Sequence, residues 1–149
     1  MGDRCSATVT IWPEFLNERQ RRQLEAEGKV TLVTDHGEDE YVMEDGELRC
    51  EFEELNYGGD YLAEAYVKAG IPFLIWHGAG GSYPEGKCAY CGDGEPVHVT
   101  CSEGDPVVRT SWRNGKVVVD RAWKAYLRRF HMTLEAIRRK RRNIRRKTR

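Results

Sequence analysis

The chain has 149 residues, 40% hydrophobic and 32% charged, enough for one domain with a sizeable core. No run approaches the ~20 apolar residues of a membrane span, and Met1-Gly2-Asp3-Arg4-Cys5 does not open a secretory leader, so the expected setting is cytoplasmic and reducing, without membrane contact, its five cysteines not all tied up in disulfides. The net charge of zero hides a separation: residues 1–108 carry 22 acidic and 8 basic side chains, whereas residues 109–149 carry 2 and 16.

In residues 5–12, Ala7, Val9 and Ile11 alternate with polar or β-branched neighbours, which predicts a first strand ended by Pro13. Asn17 and Gln20 stand as N-cap and N3 of a capping box, with Gly28 as the closing residue. The few apolar positions of this helix, Leu16, Leu24 and Ala26, place it on the surface. Residues 29–34 read as a second strand. Asp45-Gly46 predicts a two-residue hairpin turn that pairs Met43 with Leu48 and Tyr41 with Cys50. Phe52 shares that face, and Val42, Arg49, Glu51 and Glu53 take the other. Asp60 is the expected N-cap of a helix whose stripe is Leu62, Ala65, Tyr66 and Ala69, stopped by Gly70 and Pro72. The run Phe73-Leu74-Ile75-Trp76 predicts a strand buried on both faces. The order β-α-β-β-β-α-β is close to the split β-α-β plan with one additional strand.

Six glycines and Pro84 fall between residues 78 and 95 and predict a long loop or a set of short turns. Short strands are expected at 97–101 and 107–113. Asn114-Gly115 then turns the chain, pairing Trp112 with Val117, Thr110 with Val119, and Arg109 with Asp120 as an ion pair. Trp123, Leu127, Phe130, Leu134 and Ile137 form a heptad-like stripe that Ile144 continues. The expected fold class is α+β: one domain over residues 1–122, with a mixed or antiparallel sheet and two packed helices (first half 1–77, glycine-rich loop and hairpin 78–122). An amphipathic, then strongly basic helix follows over 123–149, its last turns projecting or frayed.

The strongest functional signal is at that end. Arg138, Arg139, Lys140, Arg141, Arg142, Arg145, Arg146, Lys147 and Arg149 place nine cations in twelve residues. Like charges crowded at i,i+3 and i,i+4 repel one another on a helix, and a polyphosphate would reverse that cost by releasing its counterions. The dominance of arginine favours bidentate phosphate contacts. The expected partner is nucleic acid, RNA or DNA, bound by shape and charge rather than sequence, or a nucleoprotein complex. Two alternatives use the same charges: an acidic protein surface, or neutralisation by the chain's own acidic body. Oligomeric state is left open.

Cys88-Ala89-Tyr90-Cys91-Gly92 resembles a zinc knuckle, and with His98 and Cys101 the resemblance implies a tetrahedral zinc set of Cys88, Cys91, His98 and Cys101. Residues 73–82, ending His77-Gly78-Ala79-Gly80-Gly81-Ser82, resemble the strand and oxyanion loop of α/β-hydrolases, but no G-x-S-x-G elbow occurs in the chain. His77 is the lone catalytic candidate; without a partner no catalytic residue is assigned, and a non-enzymatic accessory protein is expected. Between Asp35 and Asp60 stand eleven acidic residues and one basic residue. That stretch supports a second reading, a mobile-element-type inhibitor or adaptor that mimics nucleic acid toward a host nucleic-acid-handling protein. A small structural zinc protein is the third.

Overall fold

The computed structural model describes residues 4–149; Met1–Asp3 lie outside the described residues. In chain order the elements are β1 (Arg4–Ile11), α1 (Glu18–Glu27), β2 (Lys29–Thr34), β3 (Gly37–Glu44), β4 (Glu47–Asn56), α2 (Asp60–Lys68), β5 (Phe73–His77), β6 (Gly86–Tyr90), β7 (Val97–Ser102), β8 (Asp105–Pro106), β9 (Thr110–Arg113), β10 (Lys116–Val119) and α3 (Arg121–Lys147). Eight strands form one sheet in the order β2-β3-β4-β1-β5-β6-β7-β8, while β9 and β10 form a separate hairpin. Every neighbouring pair in the large sheet is antiparallel. Because β4 and β5 both run against β1, they are parallel to each other with β1 between them. This is the split β-α-β unit, with α2 as its crossover. The protein is α+β.

Local chemistry sets most of these boundaries. The Asn17 side chain accepts from the Gln20 N–H while Gln20 returns a bond to the Asn17 N–H, so the capping box forms as expected. Gly28 closes α1 in the left-handed region, with φ of 72°. The turn at Asp45-Gly46 pairs Met43 with Leu48 and Val42 with Arg49. Between β1 and β4 the pairing slips from Cys5–Leu55 to Ala7–Phe52. The extra residue in β4 is a bulge that puts Leu55 in the core and leaves Glu53 and Glu54 outside.

Side chains alternate across β5 and β6, so the two faces of the sheet acquire separate cores. Phe73, Ile75, Cys88 and Tyr90 join β1, β2 and β4 residues beneath α1 and α2, where Leu62 and Tyr66 are fully buried. Leu74 and Ala89 face the other way and meet Val97, Val99, Cys101 and Phe130 under α3. In the first core Tyr41 and Tyr66 hydroxyls are 2.5 Å apart, and Tyr66 Oη lies 3.2 Å from Asp39 Oδ2. Since the carboxylate can only accept, the chain of donation runs from Tyr41 to Tyr66 to Asp39.

Four expectations are corrected. The glycine-rich segment contains a core strand, β6, because Cys88, Ala89 and Tyr90 are buried among apolar neighbours despite the flanking glycines. The N-cap of α2 is Gly59, in the left-handed region, and Asp60 is the first helical residue. The strand expected over 107–113 is confined to β9. Asp120 does stand across from Arg109, its N–H donating to the Arg109 carbonyl at 2.8 Å, but its carboxylate caps the Ala122 and Trp123 N–H groups instead of forming the expected ion pair. The final turns of α3 neither project nor fray: the helix runs to Lys147, and Arg141 and Ile144 are half-buried.

Candidate nucleic-acid interface

A helix with cations all round its circumference can dock only if some of them are paired or sheathed by their own stems. The structure divides the terminal cluster in this way. Phe130 and Ile137, seven residues apart, are buried, which aims one face of α3 at the sheet. On that side Glu14, in the 3-10 turn Pro13–Phe15, accepts from Arg141 Nε at 3.0 Å and Arg141 Nη2 at 3.1 Å, and from Arg145 Nε at 2.6 Å. The Arg141 guanidinium lies 5.7 Å from the centre of the Trp12 ring, a cation–π contact. Burial pushes the Glu14 carboxyl up, but hydrogen bonds from Arg141 and Arg145 outweigh it and hold its pKa below the ordinary 4.5. Lys140 Nζ donates to the Cys91 carbonyl at 2.7 Å and to Asp93 Oδ2 at 2.5 Å. The second of these bonds, with a lesser one from the Cys91 thiol, lowers the Asp93 pKa.

The outer face is different. Arg121, Lys124, Arg128, Arg139, Arg142, Arg146 and Arg149 recur at spacings that keep them on one side, and all are exposed. Glu135 is the acidic residue in that stripe and is shared by Arg138 and Arg142 at 3.4 Å each. Among the described residues Arg139, Arg146, Lys147 and Arg149 make no ion pair. The 27 residues of α3 span about 40 Å. The hairpin that feeds α3 extends the basic surface with Arg113 and Lys116 at its tip, opposite each other across the turn. Neither of its strands is buried, and Trp112 is 75% exposed.

The acidic stretch 35–60 is not what binds the basic helix. Five of its carboxylates pair with cations outside α3: Glu40 with Lys29, Glu44 and Glu47 with Arg49, Glu54 with Arg4, and Asp35 with Lys68. These pairs are largely exposed and individually weak. The charge separation read in the sequence therefore persists in space, and Glu14 and Asp93, both outside the acidic stretch, are what secure α3.

The four residues of the zinc reading are not gathered. Cys88 and His98 are cross-strand partners, with Sγ 3.5 Å from Nε2. Cys101, three positions from His98 on β7, belongs to the core on the opposite face, as strand alternation requires. Cys91, beyond the end of β6, contacts Asp93. Burial, and to a lesser degree Asp60, raise the Cys88 thiol to about 12, so the group is a protonated thiol at neutral pH. Among the described residues no three His, Cys, Asp or Glu side chains stand close enough to hold a metal ion.

His77 is held tightly. Its Nδ1 lies 3.0 Å from the Gly78 carbonyl, which places a proton on Nδ1. The ring packs against Gly58 and Gly86, where added Cβ atoms would approach it to 3.1 and 2.8 Å. It shares a cleft with Asp60 and His98. Partial desolvation holds the His98 pKa below the ordinary 6.5, against the pull of Asp60 and with a push from His77. Glu14 and Trp12 are the functional-side residues that sequence reasoning missed, since both act on a helix far along the chain.

Among the described residues no helix is long and apolar enough to cross a membrane. No protein-family model matches the sequence, and comparisons with curated proteins and with solved structures found no match.

Proposed function

We propose that the protein is an accessory factor that associates with nucleic acid through the outer face of α3, on a phosphate backbone read by charge and shape. The observation that carries this reading is the division of the basic cluster. Arg141, Arg145 and Lys140 are used to dock the helix, while the stripe from Arg121 to Arg149 stays exposed along about 40 Å. Two groups of cations on one face, Arg121 to Arg128 and Arg139 to Arg149, suit the repeated charge of a sugar-phosphate backbone, and each phosphate neutralised adds ~0.7–0.9 to the salt slope of log K. The rigid docking also removes ordering cost at the moment of binding.

The test is fluorescence anisotropy of labelled oligonucleotides across a salt series with the full chain. Binding should weaken steeply with salt, with a slope of about −3 to −5 for four to six phosphates. Affinity that stays constant across the series would remove this reading.

A second reading draws on the same separation. Glu38, Glu40, Glu51 and Glu53 are exposed on strands remote from α3, and could present carboxylates to a basic nucleic-acid-handling protein. Its mark would be capture of such a protein by a chain that binds no oligonucleotide.

A further inference from the structure

The second core ends at Phe130 and Leu134, before α3 has reached its N-terminus. The first turns of the helix therefore overhang β7, leaving a groove of 440 Å³, within the range of small-molecule sites. Val97 and Val107 supply apolar surface, and Trp123, Tyr126 and Arg129 project from the helix. Trp123 is half-buried and Tyr126 is 52% exposed. Two large aromatic rings left partly in water forgo stabilisation of ~25 cal/mol for each Å² not buried, an arrangement that suits a site completed by something else.

The chemistry of that occupant is narrow. No residue lining the groove bears a carboxylate, and its one formal cation is a planar guanidinium. Aromatic faces, a guanidinium plane and aliphatic surface together accept a flat, uncharged π system tethered to anions. Lys124 and Arg128 are exposed on the outer face of the same turns, across the helix from the groove. The neighbouring hairpin repeats the combination: Trp112 and Val117 are opposite one another on one face, both exposed, with Arg113 and Lys116 at the tip.

We propose that this groove is a nucleobase pocket, so that the nucleic acid bound along α3 is single-stranded. An unpaired base enters beside Tyr126 and Arg129, and its strand crosses the helix to lay its phosphates on the outer basic face. A duplex keeps its bases stacked and paired and cannot fill the pocket. The inference rests on the nucleic-acid reading above and adds the strandedness and the residues that select it.

The experiment uses the full chain, with a labelled single strand of about 12 nucleotides, of thymidine or uridine, and a duplex of the same length at equal ionic strength. The single strand should bind at least fivefold more tightly. Tyr126→Ala and Arg129→Ala should each weaken it by roughly 5- to 150-fold, the span of ~1–3 kcal/mol per stacked base, and change duplex affinity less than twofold for Tyr126→Ala. Circular dichroism confirms folding, and both residues are exposed. Equal affinity for both forms with Tyr126→Ala silent would overturn the pocket and leave backbone binding standing. No binding of either form by the unaltered protein would overturn both.

Discussion

Glu14 and Arg141, 127 positions apart in the chain, form a two-pronged ion pair with contacts of 3.0 and 3.1 Å. Arg145 adds a third bond to the same carboxylate, and the Trp12 ring covers the Arg141 guanidinium. One acidic side chain near the start of the molecule thus holds two arginines from its end, and fixes which side of a basic helix is left outward.

Glu14→Gln should lower stability by about 1–3 kcal/mol, because Arg141 is mostly buried and loses its charge partner. In a chain of this size that is a fall in Tm of about 2–10 °C. The effect depends on pH in a definite direction. The folded Glu14 pKa lies below 4.5, so the unfolded chain takes up the proton first as acid is added. The contribution is complete above that value and is lost as pH falls through the folded pKa. Thermal melts of both proteins should therefore differ most at neutral pH and converge in acid; curves that coincide at every pH would show that the clasp contributes nothing.

Replacing Arg139, Arg142 and Arg146 together by Ala should leave the melting temperature within about 2 °C, since exposed charges contribute little to stability. The salt slope for oligonucleotide binding should shrink by about 2–3, one phosphate contact for each arginine. An unchanged slope would mean that phosphates contact some other face.

Tyr66→Phe should cost more than Tyr41→Phe. Removing the Tyr66 hydroxyl strips Asp39 of a donor and Tyr41 of its acceptor, both inside the core, at about 1–3 kcal/mol for each group left unsatisfied. Removing the Tyr41 hydroxyl takes away only a donor to Tyr66. Urea unfolding of the two variants tests the order.

Gly86→Ala should destabilise by about 1–3 kcal/mol through overpacking. The new methyl would lie 2.8 Å from His77 Nε2 and 3.0 Å from the Val99 carbonyl oxygen, and the second of these belongs to a paired strand that cannot retreat. Combining it with His77→Ala, which vacates the first contact, should recover part of the loss in the same unfolding assay.

Features decided by neighbours a few residues apart were legible in the sequence. The Asn17 and Gln20 capping box, the Asp45-Gly46 turn and the Phe130 and Ile137 stripe all formed as their spacing implied. Where two local outcomes competed, spacing could not choose: Asp120 faced both Arg109 and the unsatisfied N–H groups of α3, and the helix end took it. Strand β6 was hidden by glycines that serve different purposes. Gly86 makes room for His77, and Gly92 turns the chain at a φ of 96°. Glu14 carried no local signal, because its partners are brought to it by the packing of a helix on the far face of the sheet.

The place of β1 in the sheet has a consequence for how the protein is made. It is made before both of its partners, β4 and β5, which begin about 40 and 70 residues later, at Glu47 and Phe73. The sheet cannot close around β1 until residues 73–77 have been synthesised, and such distant pairing makes for slow folding. Through that interval Val9 and Ile11 remain unprotected in the nascent chain, and the Glu14 clasp can close only after Arg141 and Arg145, more than 120 residues further on, have been added.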